Sequence, residues 1–357
     1  MTRRVLILAG GTGGHIYPAL AVADCLRGAG VDLAWLGSLN GLEGRVVPAH
    51  GIPMVRIPVT GLRGRGVLGW LAAPWRVVLA TYRAIVAVLD VKPGVVLGMG
   101  GFVSGPGGVA AWLCRRPLVI HEQNAIPGLT NKLLSRLATR VLEAYPRSFE
   151  LARQAIATGN PVRADIAALP APRERLGGRR GLRVLVFGGS RGARRLNVVL
   201  PLALGLLALP GLEVRHQCGR DDVATTQAAY AAQGVAAQVE AFIEDMAGAY
   251  AWADLVICRA GAITVAELAA AGAASILVPF PYAVDDHQTA NARYLADAGA
   301  ARLVQERDLE PAALAAVITE LAHDRQTLVA MAERARDLAR PDAATTVAGH
   351  CLELLDA

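Results

Sequence analysis

The sequence predicts an α/β protein made of two similar parallel-sheet domains separated by a cleft. The first observation is the apolar run Val5-Leu6-Ile7-Leu8-Ala9, which enters Gly10-Gly11-Thr12-Gly13-Gly14-His15 and then a helical pattern. The second is the same construction repeated: Val184-Leu185-Val186-Phe187 enters Gly188-Gly189-Ser190-Arg191-Gly192-Ala193 and another helical pattern. The two loops start 178 residues apart in a chain of 357, close to half its length. The third is the alternation of strand and helix patterns in both halves, the signature of a parallel sheet. A buried strand, a glycine-rich turn and a helix start together form an anion site, because unpaired backbone N–H groups converge there.

In the first half, Val5–Ala9 reads as a buried strand and Pro18–Arg27 as a helix closed by Gly28-Ala29-Gly30. Val31–Leu36 and Met54–Ile57 read as strands, and Val67–Val88 as a long helical pattern. Val95-Val96-Leu97 enters a glycine-rich loop running from Gly98 to Gly108. Pro117–Ile120 is a strand ending at His121-Glu122-Gln123-Asn124. Gly159-Asn160-Pro161-Val162-Arg163 is the candidate linker, since Pro and Gly disfavour a continuing element. In the second half, strands are expected near Arg183–Phe187, Glu213–Gln217, Leu255–Cys258 and Ser275–Val278, and a last helix near Thr345–Leu355. Domains of 1–160 and 161–340 follow, with 341–357 as a terminal helix.

Charge changes sign at the same linker. Residues 1–160 carry 17 Arg/Lys against 7 Asp/Glu, whereas 161–357 carry 19 against 23. A basic first half suits an anionic partner, a membrane surface or a nucleic acid, although charge drift without function gives the same count. The five cysteines, Cys25, Cys114, Cys218, Cys258 and Cys351, have no short paired spacing and read as buried thiols of a reducing compartment. The N-terminal apolar run is shorter than a signal-peptide core, and Leu196–Leu209 is interrupted by Asn197, Pro201 and Gly205. These features point to a cytoplasmic protein that touches a membrane without spanning it.

The loops narrow the chemistry. The first lacks a dinucleotide fingerprint, because Ile16 stands where the third glycine belongs and no acidic residue closes the strand ending Trp35-Leu36-Gly37. No Lys follows it, so it is not a Walker loop. It reads either as a tight strand–helix turn or as a site where a ligand meets the backbone. His15, next to four glycines, is a candidate general base near neutral pH. In Cys258-Arg259-Ala260-Gly261-Ala262-Ile263-Thr264-Val265-Ala266-Glu267, the glycine and helix start suit a diphosphate. Glu267 then fits either a capping box with Thr264 or a fixed acceptor for the cis-diol of a ribose. Asp285-Asp286-His287 is a weak metal pattern, since adjacent side chains diverge. Gln288, Asn291 and Asn124, amides that donate and accept at once, suit sugar hydroxyls.

Gly10–His15, Gly100–Gly108, His121–Asn124, Gly159–Arg163, Gly188–Ala193, Gly261–Glu267 and Gln288–Asn291 occur in the order seen in the MurG family, which the chain resembles along nearly its whole length. These bacterial enzymes transfer N-acetylglucosamine from its UDP donor to the lipid-linked muramyl-pentapeptide of peptidoglycan synthesis. The resemblance implies the GT-B fold, with UDP-sugar on the C-terminal domain and the final helix returning to the first. It implies inversion without a metal or other cofactor, and a peripheral location on the inner face of the anionic cytoplasmic membrane. It also implies partnership with a cell-wall synthesis complex rather than a nucleic acid.

Carried onto this chain, the resemblance gives Ile243 to the uracil and Glu267 to the ribose. Ser190 and the helix start Ala262, Ile263, Thr264, Val265 and Ala266 fall to the diphosphate, with Arg163 and Arg259 nearby. Gln288, Asn291 and Asn124 read the sugar, Thr12, Gly13 and Gly14 close over it, and His15 resembles the base. The chain departs from the family at Arg191, Ala260 and Phe102, where Gln, Ser and Tyr are usual. A nucleotide-sugar epimerase on the same plan is the rival reading, short of the carboxylates it would need. Within the long helical pattern, Leu71, Trp75, Val78 and Tyr82 share one face, flanked by Arg63, Arg65, Arg76 and Arg83. That stripe, with Trp112 beside Arg115-Arg116, is either core-facing or a membrane-docking surface of Leu71, Trp75 and Trp112.

Overall fold

The structure is a computed structural model that describes residues 3–39, 41–58, 73–178, 181–189, 192–207 and 209–357. Leu71, Ser190, Arg191, Arg63 and Arg65 therefore lie outside the described residues. The chain divides into two units, one of Met1–Arg163 with Arg340–Ala357 and the other of Ala164–Ala339.

The first unit carries β1 (Arg4–Leu8), β2 (Asp32–Ser38), β3 (Met54–Ile57), β4 (Val95–Gly98), β5 (Leu118–Glu122), β6 (Arg140–Glu143) and β7 (Ile156–Ala157). They form one sheet in the order β3-β2-β1-β4-β5-β6-β7, with every pairing parallel. Val5 to Leu8 and Val95 to Leu97 are fully buried, as expected of central strands covered on both faces. The second unit carries β8 (Leu182–Phe187), β9 (Leu212–Gln217), β10 (Ala237–Glu240), β11 (Leu255–Cys258), β12 (Ser275–Leu277) and β13 (Ala301–Leu303). Its order, β10-β9-β8-β11-β12-β13, is again wholly parallel. The order reverses between β1 and β4 in one unit and between β8 and β11 in the other. Ligands of doubly wound sheets gather outside the carboxyl ends at that switch point.

The first helix and the second glycine-rich stretch differ from the sequence expectation. The first helix spans Gly13–Gly28, so it starts inside the glycine loop and carries Pro18 in its second turn. The stretch Gly98–Gly108 is not all loop, because a helix runs from Ser104 to Leu113. Its glycines are there for packing. A Cβ on Gly107 would stand 2.8 Å from a Leu8 methyl, and one on Gly108 2.7 Å from a Leu134 methyl. The last helix, Ala343–Leu355, packs on Gly13–Gly28, burying Val347, Ala348 and Cys351 in the core that holds Ile16, Ala19 and Ala23.

Candidate active site

In the first unit, the loops after β1 and β4 touch. Gly101 has φ +85°, and a Cβ there would lie 2.1 Å from the Gly10 carbonyl oxygen, so only glycine fits. Thr12 precedes the helix and is exposed, and its side chain makes no capping bond. Gly13 and Gly14 form the first turn, where N–H groups have no partner within the helix. His15 follows, half-buried, its Nδ1 3.0 Å from Oε1 of Gln123.

Two carboxylates whose roles sequence reasoning missed brace the loops after β1 and β5. Glu43, fully buried, accepts from Gly11 N at 3.1 Å, Ser38 N at 2.9 Å and Ser38 Oγ at 2.6 Å. Burial pushes its pKa up, but the hydrogen bonds from Ser38 and Gly11 hold the carboxyl below its ordinary value. The available signal was glycine: Cβ atoms on Gly10, Gly37 and Gly41 would all collide with Glu43. Glu122, at the end of β5, accepts from Asn124 N and Nδ2 at 2.9 and 3.0 Å, and from Gly128 N and Asn131 Nδ2 at 3.1 and 2.9 Å. Asn124 is thus held by its neighbour two residues back. Arg163 stacks its guanidinium 5.9 Å from the centroid of Tyr17, on the helix that carries His15.

In the second unit, the helix Ala262–Ala271 starts after β11, with Gly261 as its N-cap and no side-chain cap. Val265 N makes the first bond, to Gly261 O at 2.9 Å, so Ile263 and Thr264 occupy the turn whose amides the helix leaves unpaired. Thr264 is inside the helix, which overturns the capping-box reading of Thr264 and Glu267. Glu267 instead accepts from the Tyr250 hydroxyl at 3.1 Å. Val265 is buried in the core, Ala266 is half-buried, and Ile243 is buried ahead of the helix Met246–Trp252.

The remaining polar residues of this unit have visible tasks. Gln288 accepts from Phe280 N at 2.9 Å, and Asn291, fully buried, donates from Nδ2 to Ala260 O at 3.3 Å. Both tie the helix His287–Ala296 to the carboxyl ends of β11 and β12. Arg259 donates to the carbonyls of Val278 and Pro279 at 3.2 and 3.1 Å and pairs with Glu306, so a diphosphate would compete with Glu306 for it. Asp286 accepts from Thr289 Oγ1 at 2.7 Å and thereby fixes the start of that helix. After β8, a Cβ on Gly192 would sit 2.1 Å from Cys218 O, which keeps this loop as tight as its counterpart in the first unit.

The aromatic stripe is exposed. In the helix Ala73–Val91, Ala80, Ala84, Ala87 and Val88 face the core, while Trp75 is 73%, Val78 58% and Tyr82 61% exposed. Small residues point inward and large apolar ones outward, the reverse of a surface helix. Trp112 is 51% exposed, with Leu113 beside it. Among the described residues, no helix is long and apolar enough to cross a membrane.

Comparison with known proteins adds to this geometry. Residues 5–143 match the glycosyltransferase family 28 N-terminal domain, and 183–347 match its C-terminal domain. The chain is 55% identical over 356 residues, 99% of each chain, to a protein of Nitrosococcus oceani. That relative is named UDP-N-acetylglucosamine--N-acetylmuramyl-(pentapeptide) pyrophosphoryl-undecaprenol N-acetylglucosamine transferase. The crystal structure of Acinetobacter baumannii MurG is similar with a TM-score of 0.84 and 44% identity, over 98% of this chain and 99% of that one. A UDP-GlcNAc 2-epimerase from Neisseria meningitidis, bound to UDP-GlcNAc, has a TM-score of 0.70 at 13% identity over 98% of this chain and all of that one. This likeness shows the fold alone.

Proposed function

Because the chain belongs to glycosyltransferase family 28 and to the MurG family within it, we propose that the two loop systems described above bind and react the substrates of this transferase. The protein is an N-acetylglucosamine transferase of the GT-B fold. It moves the sugar from UDP-N-acetylglucosamine to the lipid-linked muramyl-pentapeptide. The observation that carries this is identity of 55% along essentially the full length of a transferase of that name.

The finer roles are our reading. The muramyl C4 hydroxyl attacks the anomeric carbon, and a new C–O bond forms as the bond to the UDP phosphate oxygen breaks. Configuration inverts. His15 takes the hydroxyl proton on a ring nitrogen that holds a lone pair, the role of a positioned general base. Charge grows on the leaving diphosphate, where the first turn of Ala262–Ala271 and Ser190 supply donors, and Arg163 and Arg259 supply positive charge. Glu267 accepts the ribose diol, and Ile243 presents backbone groups to the uracil. Gln288, Asn291 and Asn124 read the sugar, while Thr12, Gly13 and Gly14 contribute backbone donors. The exposed Trp75 and Trp112, with Leu71, dock the protein on the inner face of the cytoplasmic membrane. A cell-wall synthesis complex is its protein partner there.

Radiolabelled UDP-N-acetylglucosamine and a soluble lipid-linked muramyl-peptide analogue test the reaction. Label is expected in the glycolipid product, with UDP released only when acceptor is present. Turnover of donor alone to an epimeric sugar would overturn the assignment in favour of an epimerase.

A further inference from the structure

Behind His15 runs a chain of polar contacts through His121, Gln123 and Gly159, motif residues to which no role has yet been given. Nε2 of His121 lies 3.0 Å from the carbonyl oxygen of Gly159 and 3.2 Å from Thr158 Oγ1. A carbonyl only accepts, so that nitrogen carries the proton. His121 is fully buried and its burial lowers the pKa to about 4, so the ring is neutral near pH 7 and Nδ1 holds a lone pair. Gln123 Nε2 lies 3.1 Å from that Nδ1 and 3.3 Å from the His121 carbonyl oxygen. Both neighbours accept, so the amide must present its NH2 to His121; the flipped amide would set oxygen against oxygen and lone pair. Its Oε1 then faces His15 Nδ1 across 3.0 Å, and an amide oxygen cannot donate.

We propose that Gln123 is a positioning residue which, backed by His121 and the Gly159 carbonyl, holds His15 with its proton on Nδ1 and its lone pair on Nε2. Nε2 is thereby the atom that receives the acceptor's proton, a step that rests on the reading of His15 as the base. Every link is one-directional, so the tautomer is set some distance from the ring that uses it. Two features keep the chain intact. Asn160 donates from Nδ2 to Gln123 O at 2.9 Å and holds the residue's backbone. Gly100, with φ +96°, lies against the contact: a Cβ there would be 2.6 Å from His15 Nδ1 and 3.3 Å from Gln123 Oε1.

Long-range proton–nitrogen correlation spectra of the full-length protein, with 15N-labelled histidine, distinguish a protonated ring nitrogen from one with a lone pair. The neutral form of His15, assigned by loss of its signals in His15→Ala, is expected to be protonated on Nδ1. Gln123→Met, similar in size but without the amide oxygen, is expected to shift His15 toward the Nε2–H tautomer. The same variant should lower turnover on the order of 10²-fold, with donor affinity unchanged. An Nε2-protonated His15 in the parent protein overturns the proposal, as does a tautomer unmoved by Gln123→Met. The measurement on the parent decides even if that variant fails to fold. The base reading fails separately: near-normal turnover in His15→Ala removes it and leaves the tautomer result standing.

Discussion

The hydroxyl of Tyr250 donates to a carboxylate oxygen of Glu267 across 3.1 Å, joining the helices Met246–Trp252 and Ala262–Ala271. A carboxylate has two oxygens and several lone pairs, so accepting from this phenol limits the rotamers of the side chain and is compatible with accepting from a diol. Glu267→Ala is expected to weaken UDP binding by about 1.5–3 kcal/mol, the loss of charge-assisted hydrogen bonds. Tyr250→Phe should weaken it less, since it removes only the orienting bond. Calorimetric titration of UDP against both variants checks this, and undiminished affinity in Glu267→Ala would remove the ribose role.

Glu43 makes a second prediction. Its carboxylate, fully buried, accepts two backbone N–H groups and a hydroxyl beneath the loop that leads to His15. In Glu43→Gln, the amide NH2 must face donors, leaving at least one of them without an acceptor. The expected loss is about 1–3 kcal/mol, with faster hydrogen exchange at Gly11. Because hydrogen bonding depresses the native pKa, Glu43 contributes stability above its unfolded value of 4.5, and this is lost as pH falls through the lower native value. Urea denaturation and exchange on the variant check the claim, and parental values in both would refute it.

Central strands were legible because strands buried on both faces are uninterrupted apolar runs; β1, β4, β8 and β11 fall where such runs stand. β6, β10 and β13 were not, because Arg-Val-Leu-Glu, Ala-Gln-Val-Glu and Ala-Arg-Leu are short, mixed edge-side segments. The helix at Ser104 was hidden by glycines whose reason, the side chains of Leu8 and Leu134, is distant in sequence. Likewise Glu43 and Gln123 declare themselves only once Gly11 and His15, distant in sequence, are in place, and Glu122 acts through local partners that no spacing singles out, whereas the loops they brace announce themselves by composition. The stripe of Trp75, Val78 and Tyr82 was visible as a spacing. Which way it faced depended on the alanines opposite.

His216 supplies a pH prediction within the second unit. Its ring hydrogen-bonds to two neutral groups, Tyr230 Oη at 2.9 Å and Asn197 Oδ1 at 3.1 Å, and burial lowers its pKa to about 3. The unfolded chain therefore binds a proton near pH 6.5 that the folded unit refuses, and stability falls as pH drops from 6.5 toward 3. At 1.36 kcal/mol per unit, acidification from 6.5 to 5 costs on the order of 2 kcal/mol through this residue. Ring-proton NMR of the folded protein should show no titration of His216 between pH 5 and 8. A midpoint near 6.5 would contradict it.

The last prediction concerns the membrane, which the lipid-linked acceptor cannot leave cheaply. Trp75, Val78, Tyr82 and Trp112 are exposed, and Arg76, Arg83 and Arg115 are exposed near them in sequence. A large apolar side chain left in water gains about 1.5–3 kcal/mol on entering an apolar phase. A cation near an anionic leaflet gains about 1 kcal/mol and loses it within a Debye length or in high salt. Together these bind a peripheral protein without a span. Trp75→Ser with Trp112→Ser is thus expected to lose at least 10-fold in binding to anionic vesicles, by about 1.5 kcal/mol or more. UDP affinity and thermal stability should hold, because neither ring is in the core. Arg76→Ser with Arg83→Ser should instead reduce the salt dependence of binding. Vesicle sedimentation at two salt concentrations separates the two contributions. Parental binding by the double Trp variant would place the docking surface elsewhere on the protein.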